Sequence, residues 1–183
     1  ALSDKFTTDM DDLFRRKLLV HELFHVLTRN SIGFKRAMYS TIGFTVTDEE
    51  LEYPADLKDM RISNPDVGRY DSYATFTVNG VPNKCAMLIY AKRPYDTGSF
   101  FNYIEIGFIP YDDNMKPVQE DGATVRYSYD DIDDFFEKVG HNTMYVINPE
   151  EILADNFVIA FNNSSPVDTP ALRDSIRALM MGE

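Results

Sequence analysis

Leu18-Leu19-Val20-His21-Glu22-Leu23-Phe24-His25-Val26-Leu27 is an apolar run broken only by two histidines and one glutamate. With no Gly or Pro and apolar side chains all round the axis, it predicts a helix buried on most sides. The pattern extends upstream. Thr8 is placed as an N-cap, Asp9, Asp11 and Asp12 complement the dipole in the first turn, and Met10, Leu13 and Phe14 continue the helical spacing. One helix over about residues 8–30 follows, then a shorter one from Ser31 to Ile42, capped by Asn30 and stopped by Gly43.

His21 and His25 are four residues apart, so on a helix both imidazoles leave the same face one turn apart. That spacing lets two ring nitrogens reach one Zn²⁺ at about 2.0–2.1 Å each. Glu22 lies about 100° around the axis from His21. In sites of this pattern it is a base for the attacking water rather than a ligand. Two of the three histidines in the chain fall in this motif. In apolar surroundings, two imidazoles and a carboxylate without partners would cost several kcal/mol.

A catalytic zinc site has three protein ligands and an open position. For the third, His141 is the remaining histidine, and Glu151 is the stronger candidate. The second apolar helix begins sharply, with Asn148 as N-cap and Pro149 in the first helical position. It continues through Ile152, Leu153, Ala154, Phe157, Val158, Ile159 and Phe161. Glu151 also occupies the capping-box position, where a glutamate can simply satisfy a backbone N–H. Glu150 is the ligand if the register differs by one. Capping does not account for Asp155, one turn deeper among apolar neighbours.

A His-Glu-x-x-His helix followed by a helix bearing Glu-x-x-x-Asp resembles the gluzincin peptidases, the thermolysin-like group. The resemblance implies zinc held by His21, His25 and Glu151, Glu22 as general base, and Asp155 fixing the tautomer of one histidine, taken as His21. It implies a zincin-like helical core and hydrolysis of a peptide or amide bond, with a peptide or protein as substrate. The first helix and the stretch from Asn148 to Phe157 are also similar to bacterial proteins of metallopeptidase type. The likeness covers only the two helices, and Glu151 follows His25 at a much greater distance than in thermolysin-like enzymes. Residues 44–146 then form a β-rich insertion, within one α+β domain spanning 1–183.

In that insertion, Tyr73 to Val78, the turn Asn79-Gly80 and a strand around Ala86 to Ala91 form a hairpin, whose edge could hold an extended peptide. Segments Phe100 to Ile109 and Ala123 to Tyr129 extend the sheet, and Ser63-Asn64-Pro65-Asp66 is a turn. Asp130 to Val139 reads as a short acidic helix ended by Gly140. A terminal helix runs from about Thr169 to Met181, after a linker from Asn162 to Pro166. His141 and Tyr145, shortly before Glu151, are candidates to hydrogen-bond a developing oxyanion. The plainer expectation makes His141 an exposed loop residue and Tyr145 a core strand aromatic. Arg15, Arg16 and Lys17 read as a solvated face, while Arg36 and Tyr39 on the second helix carry no assignable role.

The 183 residues, 44% hydrophobic, suffice for one core, and a net charge of −12 argues against nucleic acid. The single Cys85 excludes an intrachain disulfide, and no apolar run is long enough for a membrane span. Ala1-Leu2-Ser3-Asp4 has neither a signal-peptide pattern nor an initiator Met. Localisation is therefore secreted or periplasmic if an upstream signal has been removed, and cytoplasmic otherwise. Three rivals stand beside the peptidase: a metal-dependent hydrolase of a non-peptide bond, a non-catalytic zinc-binding protein, and a binding module with no metal.

Overall fold

A computed structural model describes residues 12–182. Thr8, Asp9, Met10 and Asp11, read above as the start of the first helix, lie outside the described residues. The fold is α+β. Helix α1 (Asp12–Asn30) is followed by α2 (Ile32–Ser40) and by strands β1 (Phe44–Val46), β2 (Ser72–Val78), β3 (Val81–Ala91) and β4 (Ile104–Tyr111). A two-residue pair, β5 (Gln119–Glu120) and β6 (Ala123–Thr124), precedes α3 (Phe135–Val139), α4 (Pro149–Phe161) and α5 (Pro170–Met181). Among the described residues no helix is long and apolar enough to cross a membrane.

The four longer strands form an antiparallel meander in the order β1-β2-β3-β4. Its hairpin turn is Asn79-Gly80, both residues at positive φ (49° and 78°), which matches the twist of the strands they join. β3 starts directly after the turn, five residues before the expected strand at Ala86, with Pro82 opposite Thr77 near its start. β3 is buried on both faces. Cys85 and Met87 point to a core shared with the helices, whereas Ala86, Leu88 and Tyr90 pack in a second cluster with Leu51, Leu57, Ile109 and Tyr111.

The main core joins sheet to helices. Phe76 meets Phe44, Phe108 and Phe135, and on the helical side Phe24 meets Phe34 and Phe157. The β-rich segment is thus packed into the same core as α1 and α4. Helix α4 follows its sequence signals closely. Asn148 Oδ1 accepts the Glu151 N–H at 3.0 Å, Pro149 opens the helix, and most of its residues are buried.

Several expectations need correction. The cap of α2 is Ser31, which accepts the Phe34 N–H at 3.2 Å, while the Asn30 side chain turns back to the Val26 carbonyl. Phe100–Asn102 is a 3-10 turn rather than strand, so β4 begins at Ile104 and runs through Pro110 to Tyr111. Beyond Thr124 only a bridge from Tyr127 to Phe108 continues the expected strand. The acidic helix is split into a 3-10 turn at Tyr129–Asp131 and the short α3.

The largest correction concerns α1. Leu19 (63% exposed), Leu23 (42%) and Val26 (51%) form a solvent-facing stripe at i, i+4 and i+7. Only the side carrying Phe24, His25 and Thr28 is buried. An all-round apolar sequence requires apolar neighbours on all sides to be buried, and here α2 and α4 supply them on one side only.

Truncation should separate the two environments. Phe76→Ala, which empties a fully buried site, is expected to cost about 3–5 kcal/mol in urea unfolding. Leu19→Ser is expected to change stability by no more than about 0.5 kcal/mol. A Leu19→Ser cost as large as that of Phe76→Ala would show that the stripe is covered.

Candidate metal centre

Two helices facing each other build the centre. α1 presents His21 and His25 one turn apart, their rings edge to face with centroids 4.8 Å apart. α4 presents Glu150, Glu151 and Asp155. Glu150 and Glu151 are adjacent, so they leave the axis about 100° apart and reach different partners.

His25 is 1% exposed. Its Nδ1 lies 3.0 Å from Glu150 Oε1. Thr28 donates its hydroxyl to the same oxygen at 2.5 Å, and the Tyr39 hydroxyl donates to Oε2 at 2.6 Å. With the Thr28 and Tyr39 hydroxyls both donating to it, the Glu150 carboxylate acts as acceptor, so Nδ1 is the ring nitrogen that donates to it. The His25 Nε2 is buried and has no hydrogen-bond partner among the described residues; Glu151 Oε2, at 3.8 Å, is beyond hydrogen-bond reach.

His21 is held the same way from the other end. Its Nδ1 is 3.1 Å from Asp155 Oδ1, and Asp155 Oδ2 accepts the Thr143 hydroxyl at 2.5 Å. Its Nε2 faces Glu151 Oε2 at 3.0 Å. Glu151 Oε1 accepts from the Asn64 side-chain amide at 2.6 Å. The carboxylate of Glu151 is therefore turned toward the histidines and Asn64, while only its backbone N–H serves the cap.

Ligand-capable atoms of His21, His25 and Glu151 lie within 4.8 Å of one another. Two imidazole nitrogens and one carboxylate oxygen, converging with the opposite ring nitrogens fixed by carboxylates, are a donor set suited to Zn²⁺. The orphaned Nε2 of His25 is the atom that needs such a partner. A cavity of about 490 Å³ reaches the cluster and is lined by His21, Glu22, Tyr145, Glu151 and Asp155, with Leu18 and Val158 as apolar wall.

No family model, curated protein or solved structure matches this chain. The resemblance to gluzincins thus rests on the residues of the two helices alone.

Of the residues singled out in the sequence, the structure brings together His21, His25, Glu151 and Asp155, with Glu22 and Tyr145 on the cavity wall. Tyr145 is 46% exposed and lies in a loop, not in a core strand. His141 is not brought to the cluster: it is exposed, and its ring stacks on Phe136 at 5.0 Å. Glu150, the alternative ligand, instead stands behind His25. Sequence reasoning did not find the donors Thr28, Tyr39, Asn64 and Thr143. For Glu150 a signal existed, since two adjacent carboxylates opening an apolar helix both need partners. For Asn64 only the turn was legible.

The electrostatics follow from these contacts. Hydrogen bonds to Asp155 and Glu151 outweigh burial and push His21 up to about 10 when no metal is bound. Burial acts to raise Glu151 and Asp155, but hydrogen bonds from His21 to both, from Asn64 to Glu151 and from Thr143 to Asp155 hold both below their ordinary range. Burial and then the neighbouring carboxylates of Glu151, Asp155 and Asp66 raise Tyr145, which keeps its hydroxyl a donor.

Because the folded value of His21 lies above its ordinary 6.5, its contribution to stability is complete below pH 6.5 and lost as pH rises through about 10. In EDTA-treated protein the stability difference between wild type and His21→Asn should shrink from pH 6 to pH 10. A difference that stays constant over that range would contradict the paired imidazolium.

Proposed function

We propose that the chain is a zinc-dependent hydrolase acting on peptide or other amide bonds. The observation that carries this reading is the buried, unpartnered Nε2 of His25, converging with His21 Nε2 and a Glu151 oxygen. Among the described residues three donors converge rather than four, which suits a centre that leaves a position for water and substrate. The likeness of the two helices to gluzincins supports the choice of peptide as substrate.

His21, His25 and Glu151 would hold the ion, which when bound supplies a Lewis acid that polarises a carbonyl and acidifies water. Glu150 and Asp155 keep each histidine in the tautomer that turns Nε2 inward, and Asn64 holds the second oxygen of Glu151. Glu22, exposed on the cavity wall beside His21, accepts the proton of the attacking water. Tyr145, on the same wall and protonated at neutral pH, donates to the oxyanion as it develops.

Metal content and cleavage of a peptide library, read together on variants, test this. Glu22→Gln should keep zinc and lose about 10²–10⁴-fold in turnover. A Glu22→Gln protein that cleaves as fast as wild type removes the catalytic assignment. Wild type that holds zinc, leaves peptides intact and hydrolyses simple esters or amides points to a non-peptide substrate. Zinc without any turnover points to a binding role.

The ligand set has its own test. Glu151→Ala should lose most of the zinc, and Glu150→Ala should bind it about 10–100-fold more weakly by freeing the His25 ring. His141→Ala should bind it as wild type does. Loss of zinc from His141→Ala with retention in Glu151→Ala would exchange the two residues in the site.

A further inference from the structure

Beyond the metal cluster lies a cavity of about 320 Å³ that the hydrolytic reading does not use. It arises where the sheet opens. β2 leaves β3 after the pair Ala74–Cys85, and pairing resumes only where Arg61 bridges Tyr90 and the Ile62 N–H reaches the Ile89 carbonyl at 3.1 Å. Between these points the cavity is walled by Ile62, Val67, Met87 and Ile89.

Two buried side-chain groups of its lining stand without partners among the described residues. Asn148 is 5% exposed, and its Nδ2 has no hydrogen-bond partner. The orientation of that amide is not free, since Oδ1 is occupied by the Glu151 N–H, so the unpartnered end is the donor. The Tyr53 hydroxyl is also buried without a partner. Burial, opposed by Arg61, pushes it up to about 12, so it stays protonated at neutral pH. The Arg61 guanidinium lies over the Tyr53 ring at 4.9 Å and makes no ion pair among the described residues.

This is unusual in a chain with 30 acidic and 18 basic residues. The cavity at the His21–Glu151 cluster and a further one beside Lys35 and Tyr39 are lined with Asp and Glu, whereas this one has neither. Buried donors without acceptors are rare and call for a partner. Two such donors and an unpaired guanidinium beside an apolar wall match a carboxylate with an apolar body.

We propose that this cavity binds a small carboxylate carrying a short apolar group. Asn148 Nδ2 and the Tyr53 hydroxyl donate to its oxygens, Arg61 supplies the opposite charge, and the wall of Ile62, Val67, Met87 and Ile89 takes the apolar part. Such a group occurs in a free carboxylic acid and in the C-terminal residue of a peptide. The proposal does not depend on zinc or on turnover.

The test is NMR titration of the ¹⁵N-labelled chain with hexanoate and with N-acetyl-leucine, in EDTA so that neither acid can bind through a metal. At least one acid should shift the Asn148 side-chain amide saturably, and hexanamide should not. Hexanoate alone identifies a free acid, and N-acetyl-leucine alone identifies a peptide C-terminus. Arg61→Met should weaken binding about tenfold, and Tyr53→Phe, which keeps the ring, by a smaller factor. Asn148→Asp keeps the cap acceptor but replaces the donor by a carboxylate, and should abolish binding while the urea midpoint stays close to wild type. The proposal fails if neither acid moves the Asn148 amide, if hexanamide binds as well as hexanoate, or if Arg61→Met and Tyr53→Phe both bind like wild type.

Discussion

The pairing of α1 with α4 through histidine–carboxylate contacts is the constraint around which the molecule is arranged. Glu150, Glu151 and His25 are each almost fully buried, and His21 and Asp155 lie at the edge of the same interface. Such groups are costly to remove from water unless each is hydrogen-bonded. The surrounding elements meet that demand one donor at a time. α1 adds Thr28, α2 adds Tyr39, the 61–70 loop adds Asn64, and the loop before α4 adds Thr143. Loss of any of these elements would leave a buried carboxylate short of a donor.

This explains why segments without regular structure hold fixed places. Asn64 sits in a turn stabilised by its own Oδ1, which accepts the Asp66 N–H at 3.0 Å, and Arg29 of α1 binds the Pro65 carbonyl at 2.5 Å. The turn is thereby tied to both helices of the candidate centre, α1 and α4. Residues of this loop line both the cavity at the candidate centre and the one at the gap in the sheet, so it forms a common wall between them.

The sequence conveyed the parts of this design that depend on local spacing. His21 and His25 one turn apart, the Asn148–Pro149 start and the Asn79–Gly80 hairpin all follow from backbone geometry within a few residues. Asp155 stood out because a carboxylate deep in an apolar helix has no local partner. What local spacing could not convey was direction. Leu19, Leu23 and Val26 are as apolar as Phe24, yet only the position of α2 and α4 decides which of them is covered. Likewise Glu150 and Glu151 are chemically alike, and their division between orienting His25 and facing the ligand point is set by the 100° between them once α4 is docked. Asn64 and Tyr39 acquire their parts only through contacts across the fold.

The separation of the two helices along the chain has a further consequence for the order of events in synthesis. His25 and Glu150 are 125 residues apart, with the whole sheet between them. A growing chain therefore emerges with its histidine helix first, and the residues of the meander are made before the carboxylate helix exists to meet it. Local contacts cannot close this site early, as they would in a motif contained within one hairpin. Until α4 has emerged, α1 has neither the carboxylates nor the apolar cover that α4 provides, and its buried side has only the cover that α2 gives it. The candidate centre is thus completed late in the synthesis of each new chain.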